Sequence, residues 1–139
     1  MGNDAAFSLD PRLDADTRQI GDLPFARVLL MNDARFPWLI LVPRIDGVRD
    51  LIDLSRDDQR RLLDDIDRAA NALRIWKNPD KLNIAMLGNV VPQLHVHVIA
   101  RFTRDAAWPT PVWGVGERVP YTAQESQRCA DELATVLKI

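Results

Sequence analysis

The sequence predicts a mixed α and β domain in which antiparallel strands pair as hairpins beside one long helix. Three observations carry that prediction. Two apolar, β-branched runs, residues 26–33 and 38–44, follow one another closely. A helical stripe then repeats at the three-and-four spacing from Leu62 to Trp76. Last, a short run at 82–87 leads to QLHVHVIAR, residues 93–101, where polar and apolar side chains alternate as in a half-buried strand.

Taken in order, Phe7, Leu9 and Leu13 interrupted by Asp10 and Pro11 predict a short edge strand and a turn, because proline cannot donate to a central ladder. ARVLLMND and WLILVPR read as antiparallel neighbours. Asn32, at the end of the first run, points an amide at a ligand or serves as an Asx-type turn residue. Ser55 has the character of a helix N-cap, with Asp58 three residues on and acidic residues complementing the helix dipole. Leu62, Ile66, Ala69, Leu73 and Trp76 form the buried stripe, and Asp64 and Arg68 are spaced to pair on a solvated face. Asn78, Pro79 and Asp80 end the helix, since proline disfavours a helical residue before it. Residues 82–87 and the histidine strand form a second hairpin, turned by Gly88 and Asn89.

Beyond Arg101, AAWPTPVWGVG resists regular structure and predicts a packed surface loop of the kind that borders sites; its Trp108 and Trp113 line such a site or simply cover the sheet or a subunit contact. Thr122 and Glu125 form a capping box for a C-terminal helix with Cys129, Leu133, Val136 and Leu137 on its apolar stripe.

At 139 residues, with 47% apolar and 27% charged, the chain reads as one domain spanning 1–139 with one site. No apolar run approaches the ~20 residues of a spanning helix, and MGNDAAFSLD lacks the features of a signal peptide, so the expected location is cytoplasmic and no membrane partner is expected. The single cysteine, Cys129, excludes an internal disulfide framework and reads as a small buried hydrophobe. A net charge of −2 argues against a grip on a nucleic acid polymer and leaves room for a small phosphorylated ligand.

Both histidines of the chain, His95 and His97, lie in the 93–101 run. In a strand Gln93, His95 and His97 share one face while Leu94, Val96 and Val98 enter the core. Same-face neighbours lie roughly 7 Å apart, close enough for two imidazoles to engage one small anion. A half-solvated strand with two incidental histidines satisfies the same pattern.

The order of elements, ending in LHVHVIAR, resembles the histidine triad family of nucleotide-binding hydrolases and transferases. RVLLMNDARFPWLILVPR is similar to that family's opening hairpin, VRDLIDLS to its lead into the long helix, and HVHVIAR to the end of its signature. The resemblance implies an α+β fold, a five-stranded antiparallel sheet with a long helix and a C-terminal helix, in a homodimer acting at the α-phosphate of a nucleotide or nucleotide conjugate without metal or other cofactor. Laid on the signature of three alternate histidines, the first falls on Gln93, the second on His95 and the third on His97. His95 is then the nucleophile and His97 the phosphate contact and leaving-group partner. Asn32 falls where relatives place a ribose contact, and Asn83 or Asn89 where they place a phosphate-contacting amide.

Two positions depart from that pattern. Gln93 replaces a histidine and can donate an N–H to phosphate or orient its neighbour, but cannot titrate. Trp38 stands at a hairpin position where many relatives carry another histidine; it reads as a wall for base stacking, as does Trp108, or as a core or dimer contact. The expected activity is hydrolysis or nucleotidyl transfer through a covalent nucleotidyl-His95. A non-catalytic nucleotide-binding module is the alternative. A metal site on His95 and His97 would need a further ligand from Asp, Glu or Cys129.

Overall fold

The computed structural model describes residues 7–139. Its elements run α1 (Pro11–Asp16), β1 (Thr17–Asp22), β2 (Ala26–Met31), β3 (Trp38–Pro43), a short 3-10 turn (Leu51–Asp53), α2 (Arg56–Lys77), β4 (Lys81–Ala85), β5 (Val96–Arg101) and α3 (Ala123–Leu137). The strands form one five-stranded antiparallel sheet in the order β1-β2-β3-β5-β4, which places β5 between β3 and β4. The α+β class and the five-stranded sheet are therefore as expected.

The predicted start is corrected. Residues 11–16 form a helix because Asp10 caps it by accepting from Arg12 N and Pro11 supplies the first turn. The edge strand is instead Thr17–Asp22, whose half-exposed residues and bulge between Gln19 and Gly21 blur the alternation that marks a strand.

α2 is capped by Ser55, whose hydroxyl accepts from Asp58 N, and ends at Asn78 in the left-handed conformation. Its stripe buries Leu62, Ile66, Ala69 and Leu73 against Val28, Leu30, Leu39, Leu41, Val96 and Val98 of the sheet, joined by Cys129 and Leu133 of α3. α3 opens with the expected capping box of Thr122 and Glu125. The expected pair of Asp64 with Arg68 is not made. Arg68 bonds Asp65 instead, whose buried carboxylate also accepts from the Phe25 and Ala26 amides, so this helix's charges are not all a solvated face.

The opposite face of the sheet carries Leu29, Trp38, Ile40, Val42 and Ile99. No helix of the length of α2 or α3 covers it; Leu13 of α1, the segment around Phe7 and Leu9, and the loop with Ala107, Val112 and Val115 do so. Asp105 anchors that loop by accepting from Arg101 Nε and Nη2 and from the Phe102, Ala107 and Trp108 amides. These donors hold the Asp105 carboxyl far below the usual range against the opposing effect of burial, which is the largest single influence on it.

Two strand limits change near the histidines. β4 stops at Ala85, and residues 86–95 form a long loop through Gly88, φ +86°, where a tight turn at Gly88 and Asn89 was expected. The strand proper begins at Val96, so Gln93, Leu94 and His95 form the approach to it.

Candidate functional site

Alternation along β5 does what the pattern predicted. Leu94, Val96 and Val98 enter the core under the helices, and His97 emerges on the other face, opposite Ile40 of β3 and Ala85 of β4. The His95 and His97 rings meet edge to face with centroids 4.9 Å apart. Both are buried, 6% and 4% exposed, so neither is an incidental surface side chain.

Each ring has one nitrogen committed. His95 Nδ1 lies 2.7 Å from the carbonyl oxygen of Gln93. A carbonyl only accepts, so that nitrogen carries the proton and Nε2 of the neutral ring is bare. The Trp38 indole N–H donates to His97 Nδ1 at 3.0 Å. An indole N–H only donates, so that nitrogen presents its lone pair and the neutral ring carries its proton on Nε2. Among the described residues no buried side-chain nitrogen or oxygen lacks a hydrogen-bond partner. Neither Nε2 has one, so both reach solvent. The site thus pairs a bare nitrogen with a nitrogen donor. Burial, and secondarily the neighbouring His95, push the His97 pKa down to about 4.

His95 lines a cleft of about 210 Å³ together with Arg49, Asp50, Leu51, Met86, Leu87, Gly88, Gln93 and Leu94. Leu51 and Met86 also line an adjoining, mainly apolar groove of about 620 Å³ beside α2. Among the described residues no group of three or more His, Cys, Asp and Glu side chains is placed to hold a metal ion.

Gln93 stands beside the site, but its side chain faces away from a phosphate role. Oε1 accepts from Asp10 N at 2.8 Å and Nε2 donates to Ser8 O at 2.9 Å, while Arg12 bonds Val90 O at 2.8 Å. The amide clamps the segment before α1 to the histidine approach, and its backbone orients His95. Trp38 is 5% exposed, which removes it as a stacking wall and makes it the partner of His97.

The remaining expected contacts scatter. Asn32 Oδ1 accepts from Tyr121 N, tying β2 to the chain before α3. Asn83 Oδ1 accepts from Arg101. Asn89 is exposed on the 86–95 loop. Trp108 lies with the Arg101 guanidinium 5.7 Å from its ring centroid, at the end of β5 away from the histidines. The tryptophan that meets the site is Trp113, edge-on to His97 at 4.9 Å and to Trp38 at 5.6 Å, and 38% exposed. Within a Pro- and Gly-rich loop no periodicity distinguishes one tryptophan from the other, so composition alone could not select it.

The fold and paired imidazoles define a small α+β protein with a histidine-based site on the face of an antiparallel sheet opposite its two longer helices. The HIT domain family matches residues 12–104, and the chain belongs to that family. It is similar to the histidine triad protein of Bradyrhizobium japonicum, at 50% identity and a TM-score of 0.91 over 95% of this chain and 98% of that one. The histidine triad protein of Marinobacter aquaeolei VT8 is 43% identical, TM-score 0.91, over 95% and 96% of the two chains. That of Sinorhizobium meliloti 1021 is 41% identical, TM-score 0.91, over 94% and 97%. No curated protein matches the chain.

Proposed function

We propose that this protein is a nucleotide phosphohydrolase or nucleotidyltransferase that acts at an α-phosphate through a covalent nucleotidyl-His95. One observation carries the reading: Nδ1 of His95 is held by the Gln93 carbonyl, so the solvent-open Nε2 presents a lone pair. Family membership supports the substrate class, since HIT proteins are typically nucleotide hydrolases and transferases. Nε2 attacks phosphorus, and His97 Nε2–H, Asn89 and backbone amides of the cleft stabilise the charged phosphoryl oxygens. Water or a second phosphate then takes the nucleotidyl group from His95. Gln93 is a natural replacement for the first signature histidine and contributes support rather than a proton.

The same reading places the protein in the cytoplasm as a single domain and a homodimer. Exposed Leu63, Ile84 and Met86 beside α2 and edge strand β4 support the dimer. Sedimentation of wild type and Leu63→Glu tests it: a dimer that becomes monomeric in the variant is expected, and a wild-type monomer refutes it.

The chemistry is tested by intact-protein mass spectrometry after acid and alkali quenching of incubations with adenosine phosphoramidate and a dinucleoside polyphosphate. A nucleotide mass on wild type, absent from His95→Ala and surviving alkali better than acid, is expected. Nucleotide binding by calorimetry with neither adduct nor product would leave a non-catalytic binding module, a reading favoured by the commitment of the Gln93 amide to Ser8 and Asp10.

A further inference from the structure

We propose that Trp38 is a positioning residue that fixes His97 as a neutral hydrogen-bond donor, so that the site expels leaving groups that depart as phosphate anions and not amines. The proposal rests on the reading that His95 attacks a nucleotide phosphorus.

The argument starts from which atoms can hold a proton. With the Trp38 N–H 3.0 Å from His97 Nδ1, protonating that nitrogen would set one N–H against another inside a buried pair. His97 therefore has a single proton, on the open Nε2. The groups around the ring do not supply another. Trp38 and Ile40 come from β3, Ala85 from β4 and Trp113 from the loop, and His95 is the one titratable side chain in ring contact among the described residues. No carboxylate among the described residues bonds the ring to favour an imidazolium, and its pKa of about 4 agrees with a ring that is neutral at pH 7.

A neutral imidazole that gave up its Nε2 proton would become an imidazolate, which does not form near neutral pH. His97 can thus hydrogen-bond a departing atom but not protonate it. With a phosphoanhydride this suffices. The His95 Nε2 lone pair forms the N–P bond, the P–O bond to the bridging oxygen breaks, and that oxygen leaves with the electron pair as a phosphate anion under the His97 N–H. His95 remains an imidazolium, its Nδ1–H on the Gln93 carbonyl. Water oxygen then bonds phosphorus, the N–P pair returns to Nε2, and the water proton passes to solvent. With a phosphoramidate, the P–N pair would have to leave as an amide anion unless a proton reached it, and His97 has none to give.

The test compares kcat/KM of the full chain on diadenosine triphosphate and adenosine 5′-phosphoramidate at pH 7, for wild type, Trp38→Phe and Trp38→His. Positioned acid catalysis is worth roughly 10²–10⁴-fold, so wild type is expected to favour the anhydride by about 100-fold or more. Trp38→His, which offers an exchangeable proton, should narrow that ratio at least about 10-fold. Trp38→Phe removes the N–H and keeps an aromatic ring at the position, though a smaller one. Nitrogen-15 NMR of the ring should show the wild-type His97 proton on Nε2 alone at pH 7, and a mixture of tautomers in Trp38→Phe. A mixed wild-type tautomer, or equal kcat/KM for the two substrates with His95 adducts from both, overturns the proposal. Absence of a His95 adduct from either substrate instead removes the catalytic reading and the leaving-group rule with it, whatever the spectrum shows.

Discussion

The carbonyl oxygen of Gln93 stands 2.7 Å from Nδ1 of His95, two residues further along the chain, and so sets which imidazole nitrogen is bare. Because the acceptor is backbone, no side-chain substitution at 93 deletes it. If His95 Nε2 attacks phosphorus as proposed, His95→Ala is expected to lower kcat by at least about 10³-fold, the scale seen when a nucleophile is lost. Steady-state assay with the dinucleoside polyphosphate checks this, and wild-type rates from the variant would sink the mechanism.

Gln93→Ala separates the backbone role from the side-chain role. Losing the bonds to Ser8 O and Asp10 N is expected to cost about 1–3 kcal/mol in urea unfolding. Hydrogen exchange should accelerate at the Asp10 amide before it does in β5. Gln93→His is expected not to exceed wild-type activity, since an imidazole does not reproduce the amide's paired grip on the segment before α1. Unchanged stability in Gln93→Ala would show that the clamp contributes nothing.

His97 makes stability depend on pH. Its folded pKa of about 4 lies below the ordinary 6.5, so the unfolded chain binds the extra proton between those values. Stability from this group is complete above pH 6.5, falls as pH drops toward 4, and levels beneath that. At about 1.4 kcal/mol per unit, the loss is on the order of 3 kcal/mol. Denaturation midpoints at pH 7 and 5.5 should differ in wild type and differ much less in His97→Gln; equal slopes in the two proteins would contradict the assignment.

Asp65 is the buried acceptor that joins α2 to the start of β2. Asp65→Ala strands the Phe25 and Ala26 amides and is expected to cost about 2–5 kcal/mol in urea unfolding with little change in m. Asp65→Asn keeps one oxygen for both amides and should cost less than half of that. Equal costs in the two variants would mean that the Arg68 ion pair, which both lose, matters more than the amides.

Much of this architecture is legible in the sequence wherever burial and spacing agree. Leu62 to Leu73 are buried at helical spacing, Ser55 and Thr122 cap as their side chains dictate, and Val96 and Val98 oppose His97 as a two-residue repeat requires. β1 escaped because an edge strand of half-exposed residues loses its alternation. Asp65 rather than Asp64 met Arg68 because the choice depended on the Phe25 and Ala26 amides, distant in sequence. The histidines themselves were legible, but not their partners: the roles of Trp38, Trp113 and the Gln93 amide arise from contacts with other elements that no local pattern encodes.

Gln93 grips Ser8 and Asp10 only through their main-chain atoms. Nothing in that grip reads the identity of the residue at 8, so mutation can wander there without trace. What cannot wander is length: removing one residue between Asp10 and Thr17 would set the grip out of step with the pairing of Thr17 to Met31. The stretch from Ser8 to Thr17 behaves as a ruler, in which spacing matters more than lettering.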